Sequence, residues 1–178
     1  MRSSSMLLIL LVMVCSCIAV DAKDYVEVLG PFKANFSVSD SLVTRIDSPF
    51  EHSTSDHVTV EGIPYTVYRC ALTSANKRSS FEFTIAEYER PIGYMNFSRM
   101  EQVQQNRLKD RNYVSFEIYR RMIDSKNGLF TIGRAGWGEH DAYQFAYSLD
   151  NKTAVAGISY LGDVVEPFLN SLHIERVS

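Results

Sequence analysis

The densest group of chemically capable side chains lies between residues 133 and 141, where the sequence reads Gly-Arg-Ala-Gly-Trp-Gly-Glu-His-Asp. Glycines let a backbone approach a ligand closely, and an exposed indole is a stacking surface for a sugar, a base or a cation. We therefore predict a ligand-binding loop in which Arg134, Trp137, His140 and Asp141 make the contacts. The alternative is a glycine-rich connection whose Trp137 packs back onto the core.

A second group is the stretch Glu-His-Ser-Thr-Ser-Asp-His at residues 51–57. His52, Asp56 and His57 could supply imidazole and carboxylate ligands to a divalent transition-metal ion, the only cofactor that the sequence suggests. The spacing is not that of a helical zinc site, and cysteine ligands are absent from the stretch. A solvated polar loop is the alternative interpretation.

No established catalytic signature accompanies these groups. The chain contains neither Gly-x-Ser-x-Gly nor His-Glu-x-x-His, and it has no glycine-rich phosphate loop or dinucleotide fingerprint. Glu139, His140 and Asp141 could supply a base and an orienting acid, but adjacent loop residues diverge in direction. The sequence therefore favours a protein without catalytic activity, and a hydrolase is the least favoured function.

The elements that must position these residues follow from the hydrophobic pattern. Alternation predicts strands at 25–29, 32–39, 58–60, 65–72, 81–88, 114–123, 129–132, 143–149 and 153–160. A capping box of Ser98 and Glu101 predicts a helix through Lys109, and Asp163 is the predicted cap of a C-terminal helix. Residues 47–57 lack periodicity and predict a surface loop. The result is an α+β fold in which an antiparallel sheet carries one mid-chain helix and a C-terminal helix.

The N-terminus has the order of a secretory signal peptide. Arg2 precedes the apolar run Met6 to Val14, and small residues lead to a predicted cleavage after Ala22. This leaves residues 23–178 as one α+β domain. The alternative takes Val14 to Cys17 as a lipobox, with lipid on Cys17 as the protein's link to a membrane.

Other features agree with export. Three glycosylation sequons begin at Asn35, Asn96 and Asn151, in places where a sugar could be accommodated. Two of the three cysteines lie in the signal, so no internal disulfide is expected, and Cys70 is predicted to be a small buried hydrophobic residue. A formal net charge of −3 gives no reason to expect a nucleic-acid partner.

The final third of the chain carries a family resemblance. The phrases Ala142-Tyr-Gln-Phe-Ala-Tyr, Ala154-Val-Ala-Gly-Ile-Ser-Tyr160 and the run from Asp163 to Ile174 resemble the closing strand-strand-helix of PsbP and Mog1-like proteins. Gly30 to Val38 and Ile63 to Tyr68 are similar to uncharacterised secreted proteins of methanogenic archaea. The PsbP resemblance implies an extrinsic subunit or binding partner of a larger assembly, without a shared active site.

These observations lead us to expect a secreted or envelope-associated binding protein whose partner is an envelope protein or a surface polymer. An extracytoplasmic protein that binds a small ligand or a metal is the alternative. The first function predicts an exposed apolar patch beside the loop at 133–141, with no sugar attached nearby.

Overall fold

The computed structural model describes residues 22–39, 42–52, 63–74, 80–92, 97–110, 113–136 and 141–177. Its elements are, in chain order, β1 (Ala22–Leu29), β2 (Phe32–Ser39), β3 (Leu42–His52), β4 (Tyr65–Ser74), β5 (Ser80–Tyr88), α1 (Phe97–Asp110), β6 (Ser115–Ile123), β7 (Lys126–Arg134), β8 (Ala142–Ser148), β9 (Thr153–Ser159), α2 (Gly162–Ser171) and β10 (His173–Arg176). The described part of the chain is therefore mostly antiparallel β-structure with two helices, as an α+β fold requires.

Seven strands form one large antiparallel sheet in the order β3-β4-β5-β9-β8-β7-β6. The alternation that predicted its strands places large apolar residues on one face, where Phe81, Phe83 and Ile85 of β5 are fully buried. Glu82 and Thr84 lie on the opposite face. Among the strands that the structure describes, the two outer ones, β3 and β6, each pair on one side only.

A second sheet of three strands has the order β1-β2-β10. Phe32, Ala34, Phe36 and Val38 of β2 are all buried, which confirms the predicted alternation of this strand. The turn between β1 and β2 places Gly30 at a φ of +59°, where a Cβ atom would lie 2.1 Å from a ring carbon of Tyr68. Only glycine adopts this positive φ without strain and also leaves room for the Tyr68 ring.

The small sheet and α2 together cover one face of the large sheet. The predicted C-terminal helix is present as α2, and its apolar side chains are buried with the residue that follows it: Val164, Val165, Phe168, Leu169 and Leu172. Because β10 pairs only with the first half of β2, the second half meets the end of α2, where the Ser37 amide donates to Ser171 Oγ at 2.8 Å. Cys70 is fully buried in this core, as predicted.

Helix α1 lies on the other face of the large sheet, chiefly on β7. The contact includes a buried polar pair, because Thr131 Oγ1 donates a hydrogen bond to Gln104 Oε1. Within the described residues, neither helix combines the length and apolar character of a membrane-spanning segment.

Residues 47–52 do not form the predicted surface loop. They continue β3 as far as His52, with a register shift between Asp47 and Phe50. Pro49 lies at this irregularity in an edge strand, where a missing N–H removes no essential ladder bond. The rest of the predicted loop, 53–57, lies outside the described residues, as does the strand predicted at 58–60.

Other predictions need smaller corrections. Helix α2 begins at Gly162 after Leu161, with no side-chain cap, so Asp163 lies in its first turn and does not cap it. The turn before β7 consists of Asp124 and Ser125, both with positive φ, so β7 begins at Lys126 and not at the predicted residue 129. Strand β10 was missed, and with it the division into two sheets.

Replacing the buried Phe168 with alanine should be severely destabilising, because four other aromatic rings surround it. We expect Phe168→Ala to lower the free energy of unfolding by about 4 kcal/mol, measured by chemical denaturation. Phe116→Ala, at a half-buried position of β6, is the matched control and should cost much less. Equal losses in the two variants would contradict the central role given to Phe168.

Candidate functional site

The base of the predicted binding loop is closed by two of its predicted contact residues. Arg134 ends β7 and Asp141 precedes β8, and Arg134 Nη1 lies 2.8 Å from Asp141 Oδ2. The other carboxylate oxygen accepts the amide N–H of Ala135 at 3.0 Å. The Asp141 side chain thus fixes both ends of the loop. We call the group of Arg134, Asp141 and the Ala135 N–H the clamp.

The charges of the clamp support one another. The Ala135 N–H first, and then the Arg134 guanidinium, hold the pKa of Asp141 below its ordinary value. The hydrogen bond with Asp141 likewise raises the pKa of Arg134. Arg134 Nη2 also lies 3.7 Å from Glu117 Oε1 on β6. The clamp therefore joins the loop to the outermost strand of the sheet.

Trp137 and His140 lie outside the described residues. The structure thus brings together Arg134 and Asp141, and the predicted ligand contacts of all four residues remain predictions. What the sequence did not suggest is that Arg134 and Asp141 bind each other.

Exposed apolar side chains occur along β6, from the base of this loop to the opposite end of the strand. Of the six large hydrophobic side chains exposed among the described residues, three lie on this strand or directly before it: Val114, Tyr119 and Met122, which are 71%, 45% and 57% exposed. We call these three residues the edge surface. Val114 donates its amide N–H to the Arg134 carbonyl, and a Cβ atom at Gly136 would lie 3.5 Å from Val114 Cγ1. The edge surface therefore begins at the base of the loop.

Several charged side chains of β6 are already engaged within the protein. Glu117 accepts a hydrogen bond from the Tyr119 hydroxyl and pairs with Arg134. Arg121 Nη1 lies 2.8 Å from Glu166 Oε1 on α2, and its guanidinium stands over the Phe130 ring. These ion pairs reduce the net charge that the strand presents to a partner.

A second polar group joins the β6–β7 turn to β10. The Asp124 side chain is only 6% exposed, and its Oδ1 lies 2.8 Å from Nδ1 of the exposed His173. Its Oδ2 accepts the Ile174 amide N–H at 3.0 Å and the Tyr147 hydroxyl at 3.2 Å. An open groove of about 370 Å³ lies beside this group. Because both hydrogen bonds of Oδ2 join parts of the fold, we infer that the main role of Asp124 is to hold β10 in place.

The predicted metal site is not described as a unit. His52 is the last residue of β3, its side chain is not described, and Asp56 and His57 lie outside the described residues. In the parts of the chain that the structure covers, no three His, Cys, Asp or Glu side chains are grouped as a metal site would require.

Two of the three sequons lie in described segments. Asn35 is on the outer side of β2, and Asn151 is exposed in the turn between β8 and β9. This turn is at the end of the sheet opposite the clamp, since Gly128 pairs with Tyr147 there and Gly133 with Ala142 at the clamp. Asn96 and Cys17 fall outside the described residues.

Comparisons of the chain with known sequence families, with curated proteins and with solved structures find no match.

The clamp predicts a pH-dependent stability. Because folding lowers the pKa of Asp141, its carboxylate stabilises the protein above the ordinary aspartate pKa of about 3.9. This contribution is lost as the pH falls through the lower pKa of the folded protein. We expect Asp141→Asn to cost about 1 kcal/mol at pH 7 and almost nothing near pH 2, measured by urea denaturation.

Glu89→Gln is the control for this measurement, because it removes one negative charge at an exposed position away from the clamp. It should change the unfolding free energy little at either pH. A cost of Asp141→Asn that is the same at both pH values would show that the charge of Asp141 does not hold the loop.

Proposed function

We propose that this protein is exported from the cytoplasm and acts outside it as a non-enzymatic binding protein. Its partner is an extended segment of an envelope protein, which adds as a strand to the free side of β6. The observation that carries the proposal is the edge surface, three exposed apolar side chains spread along an outer strand that begins at the clamped loop.

The distribution of apolar side chains around β6 favours an added strand over a flat docking partner. Tyr119 and Met122 lie on opposite faces of the sheet, because side chains alternate along a strand. A partner packed on one face would reach only one of them. A strand paired alongside β6 alternates in the same way, and its own apolar side chains can contact both.

The backbone of β6 offers the polar part of such an interface. An outer strand presents N–H and C=O groups that have no neighbouring strand, and these can pair with an incoming chain. Proteins often protect such edges with lysine or proline, and β6 contains neither. Glu117 and Arg121 are held in internal ion pairs, and Arg120 is exposed. The strand is therefore suited to a segment that is mostly apolar.

The loop above the clamp extends the proposed interface. Val114 lies against Gly136, so a segment paired with β6 would pass the entrance of the loop. We propose that Trp137 and His140 add side-chain contacts there, which would give specificity to backbone pairing. The resemblance of the final third to PsbP and Mog1-like proteins supports a subunit-like role of this kind.

Site-directed photo-crosslinking tests the proposal. A benzophenone amino acid is placed at Tyr119 or at Met122 of the full chain, in the cells that make it, and adducts are mapped by mass spectrometry. We expect both positions to crosslink to the same extended segment of another protein. The control position is Lys152, which is exposed in the β8–β9 turn and does not lie on β6.

The captured segment is then synthesised, and its affinity for purified protein is measured. Tyr119→Ala should weaken binding roughly 30-fold if Tyr119 is a central contact, and Lys152→Ala should not change it. Adducts that form equally at Lys152, that join two copies of this chain, or that are absent from both β6 positions would overturn the proposal.

A further inference from the structure

The outer face of the small sheet has a pair of exposed apolar residues that is separate from the edge surface. Val26 and Val28 of β1 are 61% and 60% exposed, and both point away from the core that buries Tyr25 and Leu29. On the same outer face, β2 places Asn35 directly opposite Val26 and Lys33 directly opposite Val28.

The other polar side chains of this face are held by neighbours. Ser37 Oγ donates to Asp24 Oδ1 at 2.6 Å, and Lys33 Nζ lies 3.3 Å from Glu175 Oε1. On the far side of Asn35, His173 is paired with Asp124. Within the described residues no hydrogen bond engages the side-chain amide of Asn35. Asn35 therefore stands in the middle of the face with its side chain available.

We propose that Asn35 carries an N-linked glycan whose first sugars cover Val26 and Val28. Asn35-Phe36-Ser37 is a complete acceptor sequence, and burial of Ala34 and Phe36 turns Asn35 outward. Side chains directly opposite on neighbouring strands are about 5 Å apart, and diagonal ones about 7 Å. A sugar ring attached to Asn35 is therefore within reach of both valines.

The sugar donor is an oligosaccharide linked through phosphate to a polyprenyl lipid, which the chain encounters during export. The reaction is a substitution at the anomeric carbon of this oligosaccharide. A bond forms between Asn35 Nδ2 and that carbon, and the bond from the carbon to the phosphate oxygen breaks. The phosphate leaves with the electron pair, and one amide proton passes to a base.

The surface at Val26 and Val28 and the edge surface then differ in one respect. The surface at Val26 and Val28 has a covalent cover, whereas neither Asn35 nor Asn151 lies on β6. The inference rests on the export assumed by the proposed function, but it does not depend on partner binding at the edge surface.

Secretion of the full chain from a glycosylating host tests the inference. Peptide mapping with and without glycosidase should show sugar on Asn35 of the secreted protein. Removing the glycan enzymatically from the folded protein should increase apolar-dye fluorescence and reduce the monomer fraction in size-exclusion chromatography. Asn35→Gln should behave in the same way.

Two variants make the result specific to the valines. Adding Val26→Thr and Val28→Thr to Asn35→Gln should restore the dye signal and the monomer fraction, because threonine keeps the branched shape and adds a hydroxyl. Asn151→Gln should affect neither. Secreted protein with Asn35 unmodified, or deglycosylated protein with unchanged dye binding, would overturn the inference. Crosslinking at Tyr119 reads out the proposed function separately.

Discussion

The packing of Phe168 joins the layers of this protein. Its ring centroid lies 4.3 Å from that of Phe81, and 5.3, 5.5 and 5.7 Å from those of Phe36, Phe83 and Phe145. One side chain of α2 thus contacts the small sheet and two strands of the large sheet. The same cluster restricts its neighbours, because a Cβ atom at Gly157 would lie 2.2 Å from a ring carbon of Phe145.

Asp124 provides a second, polar connection between the sheets. Its carboxylate in the β6–β7 turn accepts the Ile174 amide 50 residues later in the chain, and so places β10 beside β2. Burial, and after it the nearby Asp124 charge, raises the pKa of Tyr147. Its hydroxyl therefore stays protonated and donates a hydrogen bond to Asp124. The turn residues Asp124 and Ser125 both have the positive φ typical of tight hairpins.

Local pattern was sufficient for the elements that pack one apolar face on the core. It predicted β2, β5 and the C-terminal helix α2, since each alternates or repeats with the period of its own structure. It failed for β3, an edge strand with a proline at its irregularity, and for the four-residue β10. The clamp depends on Arg134 and Asp141 meeting across a loop, and the Asp124 site on two distant segments, so neither geometry could be predicted from local sequence.

The use of charge distinguishes β6 from an ordinary protected edge. Glu117 pairs with Arg134 at the loop and Arg121 with Glu166 on α2, so the strand's acidic and basic groups also fix its position. A strand held in this way loses little conformational freedom when a partner binds, which favours affinity. Between these anchors β6 exposes Tyr119 beside one charged side chain, Arg120, and Met122 follows them. A rigid edge with exposed apolar side chains is a hazard unless a partner or a cover occupies it. This combination is why we connect function with β6 and a protective glycan with β1.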